Sequence, residues 1–140
     1  MGHVLFLAEA SSGKQELRPW YHSTSLLCHL FKKGNKIYSP VQNDTSYNKN
    51  VRYIASISKD GKEGGFTCVN SGLETITRTF YLDDKVEGDK LYIYHFGENT
   101  YRLDENGYIE PNEVINGSLN KKITMDIPSG SAVVVSNVRL

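Results

Sequence analysis

The residues best suited to chemistry lie in the segment Tyr21-His22-Ser23-Thr24, where a histidine is followed by two hydroxyl side chains. A His-Ser-Thr segment could form half of a two-histidine phosphoesterase site. The second half is missing, because His95 is followed by Phe96-Gly97 and no threonine. Taken alone, His22 is most simply interpreted as an imidazole that caps a turn at the end of a strand.

Other familiar chemistries have no motif in this chain. The sequence contains no phosphate-binding Gly-x-x-x-x-Gly-Lys loop, no Gly-x-Ser-x-Gly elbow and no His-Glu-x-x-His helix. Two cysteines, Cys28 and Cys68, and four scattered histidines give no zinc-ligand spacing, so no metal site is predicted. We expect both thiols to lie in or near the core, because free cysteine is among the most buried residue types.

Length and charge favour a single domain over residues 1–140. The 16 basic and 16 acidic side chains cancel, which argues against a protein that coats a nucleic-acid backbone. The apolar run near the start is short and is broken by Glu9, so we expect no signal peptide, no membrane span and a cytoplasmic location.

The segment around His22 predicts a strand over 17–22 that turns directly into a helix. Ser23 or Thr24 could cap this helix through a hydroxyl oxygen. The apolar residues that follow have helical spacing and predict one buried stripe. Gly34-Asn35 is typical of a helix end. His22 would then be fixed between two rigid elements.

Most of the remaining chain predicts short strands. Residues 51–57 alternate so that Tyr53 lies on one face, and residues 66–69 return as the second strand of a hairpin. Residues 90–96 form the clearest strand, and strands over 122–127 and 132–138 close the domain. Residues 72–82 are ambiguous between a helix and a strand, and the capping-box spacing of Ser71 and Glu74 favours the helix. One further helical turn is expected at 113–115. The fold class is therefore α+β, mostly antiparallel short strands in a split sheet with one or two short helices.

This order of elements resembles the ADP-ribosyltransferase-like fold, in the branch that uses a histidine and a tyrosine. That branch includes poly-ADP-ribose polymerases and the small rifampin-modifying ADP-ribosyltransferases. Its first element reads Tyr-His-Gly-Thr and its second reads roughly Ile-Tyr-Phe-Ser, where this chain has Tyr21-His22-Ser23-Thr24 and Arg52-Tyr53-Ile54-Ala55-Ser56. The small enzymes also have a Tyr-Ile-Tyr strand, which Tyr92-Ile93-Tyr94 matches.

The resemblance implies that NAD is the substrate. His22 would hold the nicotinamide ribose and carboxamide, and Tyr53 would lie against the nicotinamide ring. Cleavage of that glycosidic bond passes through an oxocarbenium-like state, so a site must orient the ring and supply negative charge. The hydroxyl groups expected to hydrogen-bond the nucleotide belong to Ser23, Thr24, Ser25 and Ser56.

The third catalytic group departs from the family pattern. Most members place a glutamate where this chain has Asn120, Lys121 and Lys122. Asp104, ten residues beyond Tyr94, is the candidate in its place, although Asp-Glu-Asn-Gly is also favourable turn chemistry.

Three functions follow as expectations. The first is transfer of ADP-ribose from NAD to an acceptor that the sequence does not identify, whether protein, nucleic acid or small molecule. The second is a catalytically inactive protein of the same fold that binds NAD, an ADP-ribose derivative or another nucleotide, in which Lys121, Lys122 and the loop 61–65 would hold a phosphate. The third is a β-rich binding or virion-associated module with no catalytic site. The oligomeric state stays open.

Overall fold

The computed structural model describes residues 8–9, 15–16, 19–39, 49–97 and 100–140 of the chain. Within these ranges lie one helix and twelve strands. They are β1 (Ala8–Glu9), β2 (Gln15–Glu16), α1 (Pro19–Leu30), β3 (Lys36–Tyr38), β4 (Val51–Ile57), β5 (Gly64–Asn70), β6 (Ile76–Phe80), β7 (Lys90–Phe96), β8 (Arg102–Leu103), β9 (Ile109–Glu110), β10 (Glu113–Asn116), β11 (Ile123–Ile127) and β12 (Ser131–Ser136).

Six of the strands form one antiparallel sheet in the order β10-β7-β12-β5-β4-β3. The hairpin predicted from residues 51–57 and 66–69 is present as β4 and β5. Strand β12 lies between β5 and β7, so β12 joins two parts of the sheet that come earlier in the chain. A separate antiparallel ribbon consists of β6 and β11, and β1-β2 and β8-β9 are small two-stranded pairs.

The two faces of the six-stranded sheet are covered by different elements, because side chains alternate along each strand. On the ribbon face, core residues such as Val51, Phe66 and Val135 pack in one cluster with residues of the β6-β11 ribbon. On the opposite, helix face, Tyr94 and Val134 pack against the single helix. The architecture is therefore mostly β, with a sandwich-like layering of sheet and ribbon, and the expected α+β split sheet is wrong.

Helix α1 starts earlier than predicted. Proline at the first helical position is favourable, because its fixed φ suits a helix and its missing N–H would have had no partner there. Pro19 therefore begins the helix, and His22 lies in the first turn instead of at a strand end. The buried stripe is confirmed at Leu26 and Leu30. The helix ends at Leu30, earlier than Gly34-Asn35 predicted, and Gly34 has a φ of 90° in the turn that follows.

The helix is fastened to the sheet at its C-terminal end. Asn35 Nδ2 donates to the carbonyl oxygen of Leu30 at 3.3 Å and to Ser56 Oγ at 2.9 Å. Gly65 lies beneath Leu30, and a Cβ on Gly65 would meet Leu30 Cδ1 at 2.7 Å and the carbonyl oxygen of Val135 at 2.3 Å. Glycine at this position therefore allows the helix and β12 to approach β5 closely.

Two buried or half-buried asparagines hold the connections between layers. Asn70 Nδ2 donates to the carbonyl oxygens of Glu74 and Ile127, at 2.8 and 2.9 Å, which ties the start of the ribbon to its end. Asn137 accepts the Gly64 N–H at 2.9 Å and donates to the carbonyl oxygens of two loops. These side chains replace the backbone partners that the loops lack.

Two segments differ from the sequence expectation. Residues 76–80 form strand β6, because each residue from Ile76 to Phe80 pairs with a residue of β11. The predicted helical turn at 113–115 is instead the edge strand β10, paired with β7. The strands predicted over 122–127 and 132–138 are present as β11 and β12, which belong to different layers on either side of the turn at 128–130.

The two cysteines differ in their exposure to solvent. Cys68 is buried on the ribbon face, as expected, whereas Cys28 is exposed on α1, so the expectation of a core position is wrong for Cys28. In the described ranges no helix is long and apolar enough to cross a membrane. The expectation of one domain over 1–140 stays a prediction.

Candidate functional site

A cleft of about 370 Å³ opens where the sheet edge formed by β3 and β4 meets ribbon strand β6. We call it the aromatic cleft. The lining side chains used below are those of Tyr38, Tyr53, Phe66, Arg78, Phe80, Tyr81 and Asp83. Tyr53, Phe66 and Phe80 also belong to the core cluster of the ribbon face, so the cleft lies on that face of the sheet.

Aromatic rings form the inner wall of the cleft. Phe80 stacks on Phe66, with ring centroids 4.5 Å apart and an angle of 22° between the planes. Tyr53 meets Phe80 edge-on at 6.2 Å. Phe66 is buried, whereas Tyr53 and Phe80 are half-buried. The buried ring of Phe66 therefore supports the two rings that are partly exposed in the cleft. Such offset and edge-on pairs are favoured arrangements of aromatic rings.

The rim of the cleft carries a further tyrosine. Tyr81 is 51% exposed, and Lys122 Nζ lies 6.0 Å from its ring centroid. The segment that carries Tyr81 is held by Asn120, whose Nδ2 donates to the carbonyl oxygens of Leu82 and Asp84 at 2.7 and 2.6 Å. At a position where the sequence resemblance expected a catalytic glutamate, Asn120 instead shapes the cleft rim.

Arg78 brings a positive charge into this cleft. Strand β6 alternates between half-buried and exposed residues, and Arg78 lies on the half-buried side with Ile76 and Phe80. Its Nη1 atom donates to the carbonyl oxygen of Thr77 at 2.9 Å. None of the ion pairs found among the described residues includes Arg78.

The carboxylates near the cleft differ in their environment. Asp83 is exposed at the rim. Asp84 accepts a short hydrogen bond from the Tyr38 hydroxyl group, and Lys36 Nζ lies 3.5 Å from the same carboxylate oxygen. The Tyr38 hydrogen bond, a backbone N–H and Lys36 lower the pKa of Asp84, and the same hydrogen bond raises the pKa of Tyr38. Asp84 is therefore held in its ionised form.

The structure does not bring His22 and Tyr53 into one cleft. His22 is only 4% exposed on α1, where it stacks on Tyr101 at 5.8 Å and meets Tyr21 edge-on. Burial lowers the pKa of His22. Helix α1 covers the helix face of the sheet, whereas Tyr53 packs on the ribbon face. Of these two residues, Tyr53 is the one that lines the aromatic cleft.

The predicted nucleotide-binding hydroxyls belong to the helix and its attachment. Ser23 Oγ donates to the carbonyl oxygen of Trp20 at 3.1 Å, and Thr24 is exposed. The Ser25 carbonyl oxygen lies 2.7 Å from His29 Nδ1. Ser56 is buried and accepts the hydrogen bond from Asn35 described above. These contacts stabilise α1, and none of the four residues is among those that line the aromatic cleft.

Asp104 acts as a turn residue. Its Oδ1 atom accepts the backbone N–H groups of Asn106 and Tyr108 at 2.8 and 2.9 Å. Gly107, with φ of 81°, completes the turn by donating its N–H to the Asp104 carbonyl oxygen. This geometry agrees with the turn chemistry that the sequence also favoured.

The loop 61–65, which was expected to bind a phosphate, is partly a strand. Gly64 and Gly65 belong to strand β5, and the Gly64 N–H already donates to Asn137 Oδ1. Lys122 lies over the ring of Tyr81 at the cleft rim, but it is not itself among the residues that line the cleft.

Sequence reasoning missed Phe66, Phe80 and Arg78 as site residues. The signal was present in residues 76–80, because a strand there places Arg78 on the same side as two apolar residues. Choosing a helix for this segment hid that pattern.

No protein-family model matches this sequence, and no curated protein matches it either. Solved structures do match. A family 30 glycoside hydrolase endoxylanase from Clostridium papyrosolvens C71 aligns with a TM-score of 0.61 and 16% identity, over 91% of this chain and 29% of that one. A family 30 subfamily 8 xylanase from Clostridium acetobutylicum aligns with a TM-score of 0.62 and 13% identity, over 96% of this chain and 30% of that one.

A family 44 glycoside hydrolase endoglucanase from Clostridium acetobutylium ATCC 824 aligns over 65% of this chain and 17% of that one, with a TM-score of 0.50 and 19% identity. This chain therefore spans less than a third of the length of each of these enzymes. Their activities belong to much longer chains, and at these identities the likeness shows the fold alone.

These matches overturn the resemblance to ADP-ribosyltransferases and the transferase and NAD-binding functions that it implied. The physical reason is visible in the structure, since the Tyr-His-Ser-Thr segment is helical and the two key side chains lie on opposite faces of the sheet. The expectation of NAD as substrate rested on that resemblance and loses its basis. The chain has a β fold that is found within glycoside hydrolase structures of family 30.

Proposed function

We propose that this chain is a carbohydrate-binding β domain, and that the aromatic cleft holds a saccharide. The observation that carries the proposal is the group formed by Tyr53, Phe66, Phe80 and Tyr81 in a cleft of about 370 Å³. Small-molecule sites are typically clefts of roughly 300–1,000 Å³, mostly apolar, with a few polar groups that fix orientation. The aromatic cleft has this composition.

The chemistry of sugars suits such a cleft. A pyranose ring presents C–H bonds on its faces and hydroxyl groups around its edge. Aromatic faces carry partial negative charge and attract C–H groups, while Arg78 and the hydroxyl group of Tyr53 can bond the edge. The fold likeness to xylanases supports the same ligand class, because a β domain of this kind occurs in proteins named for action on polysaccharides.

The carboxylates around the cleft favour binding over cleavage. Glycosidases use two carboxyl groups, about 5–10 Å apart, on either side of the scissile bond. One of the two must have a raised pKa in order to act as the acid. Among the described residues that line the cleft, Asp83 is the one acidic side chain, and the pKa of neighbouring Asp84 is lowered.

A titration with short β-1,4-linked oligosaccharides of xylose and of glucose, followed by calorimetry, tests the proposal. We expect saturable binding, and we expect Tyr81→Ala to weaken it at least fivefold, since loss of one stacked ring removes about 1 kcal/mol or more. Tyr108→Ala is the matched control, because Tyr108 is also an exposed tyrosine, 71% exposed, but is not among the residues that line the cleft.

Two results would refute the proposal. One is the absence of binding by any neutral or acidic oligosaccharide at millimolar concentration. The other is an equal loss of affinity in both tyrosine variants. An assay for newly formed reducing ends on the same samples checks the further expectation that bound oligosaccharides stay intact.

A further inference from the structure

We infer that the saccharide held in the aromatic cleft carries a carboxylate, and that Arg78 binds this group. The inference rests on the proposed function and narrows it to acidic sugars, that is, to chains containing uronic acid residues.

The first observation is the environment of the Arg78 side chain. It lies on the half-buried side of β6 between Ile76 and Phe80, and it lines a cleft whose inner wall is aromatic. A charged group that is partly removed from water needs partners in order to offset the lost hydration. The guanidinium has five N–H donors, whereas the hydrogen bond found for it among the described residues is one, to the carbonyl oxygen of Thr77.

The second observation is that the neighbouring titratable groups do not neutralise Arg78. Cys68 is close enough for Arg78 to influence it, yet burial raises the pKa of its thiol to about 11, so the thiol is neutral at pH 7. Asp84 is engaged by Tyr38, by the Lys85 N–H and by Lys36.

The charges at the rim have opposite signs and are both exposed. Lys122 lies over the ring of Tyr81, and Asp83 lines the rim. Water and salt screen the effect of both charges on a ligand inside the cleft. Arg78 is therefore the charge that a bound sugar meets inside the cleft, and it is complementary to one negative group on that sugar.

The shape of the guanidinium selects the kind of anion. Two parallel N–H groups of arginine match the two oxygens of a carboxylate, and such charge-assisted pairs are about twice as strong as neutral hydrogen bonds. In a uronic acid the carboxylate is attached to the sugar ring. One ligand residue can therefore place its ring on the aromatic wall and its carboxylate against Arg78.

The test compares two tetrasaccharides with the same β-1,4 linkage, one of glucose and one of glucuronic acid, with free glucuronate as a third ligand. By calorimetry in low salt we expect the acidic tetrasaccharide to bind at least tenfold more tightly than the neutral one. In 0.5 M sodium chloride this preference should shrink. Arg78→Gln should reduce it to within twofold, because it weakens binding of the acidic tetrasaccharide far more than binding of the neutral one. Arg78→Lys should give an intermediate preference, because lysine keeps the positive charge but lacks the two parallel N–H groups of arginine.

Arg139→Gln is the control, since Arg139 is exposed and is not among the residues that line the cleft. Thermal unfolding of each variant checks that it folds. If Arg78→Gln does not fold, the comparison of ligands on the unaltered chain still decides the question.

Each contrary result has a separate meaning. Equal affinity for the two tetrasaccharides overturns this inference and leaves the proposed function standing. Lack of binding by either one overturns both. A preference that persists in Arg78→Gln overturns the role of Arg78. Free glucuronate binding as tightly as the acidic tetrasaccharide overturns the assignment to a saccharide chain and indicates a site for small carboxylates.

Discussion

Replacing Gly65 by alanine tests the closest packing in the fold, where β5 meets both α1 and β12. The new methyl group would lie 2.7 Å from Leu30 Cδ1 and 2.3 Å from the carbonyl oxygen of Val135. The leucine side chain can rotate away. The carbonyl group cannot, because it belongs to β12, which is paired with β5 on one side and with β7 on the other.

The magnitude follows from this geometry. Ordinary contact begins near 3.4 Å, so β12 or β5 has to move by about an ångström. Adding a methyl group to a well-packed core costs about 1–3 kcal/mol, and a required backbone shift places Gly65→Ala near the upper limit. Alanine also reduces the entropy of the unfolded chain, which returns about 0.4–1 kcal/mol. We therefore expect a net loss of about 2 kcal/mol in the free energy of unfolding.

Urea unfolding followed by circular dichroism measures this loss. With a slope of roughly 1–3 kcal/mol per molar urea, the midpoint should fall by about 1 M at unchanged slope. Gly117→Ala is the control, because the nearest atoms to its added methyl group belong to the Leu91 side chain, at 3.2 Å and beyond, and not to the backbone. A Gly65→Ala midpoint no lower than that of Gly117→Ala would refute the packing argument.

Three further predictions concern buried polar groups and thiols. Asn70→Ala should lower the free energy of unfolding by about 2–4 kcal/mol in urea, because it leaves two carbonyl oxygens and one N–H near the ribbon without their partner. The folded-state pKa of His22 is lowered by burial, so the stability linked to His22 is present above the unfolded pKa of about 6.5 and is lost as pH falls from there through the lower folded-state pKa. The melting temperature should therefore drop more between pH 7.5 and pH 5 in the unaltered chain than in His22→Phe. Iodoacetamide at pH 8 should label exposed Cys28 within minutes and leave Cys68 unlabelled until urea unfolds the chain, because Cys68 is buried and its pKa is raised to about 11; mass spectrometry of peptides distinguishes the two sites.

Strands with strong local patterns could be predicted from the sequence. Residues 51–57 and 90–96 have side chains that suit a strand on at least one buried face, and both are strands in the structure. The helix favoured for residues 76–80 is wrong, because their threonines and apolar residues fit two periodicities and only pairing with β11 decides between them. Tertiary pairing, which lies outside any local window, set the outcome.

The candidate site was harder to predict than the strands. A short motif such as Tyr21-His22-Ser23-Thr24 fixes residue types, but it does not state which face of the sheet each side chain will meet. Tyr53 was selected for an incorrect reason and lines the aromatic cleft because β4 alternates. Arg78 and Phe80 come close to Tyr53 only after the ribbon folds over the sheet, and no spacing within the sequence encodes that contact.

The central position of β12 has a consequence for how the chain folds during synthesis. Strands β5 and β7 have no pairing with each other, and the strand that fills the space between them is synthesised after both. Until Ser131–Ser136 is available, the β3-β4-β5 part and the β7-β10 part each present an open edge. Such edges attract strands from other chains. Nascent copies that stop before β12 should therefore be the species most in need of chaperones.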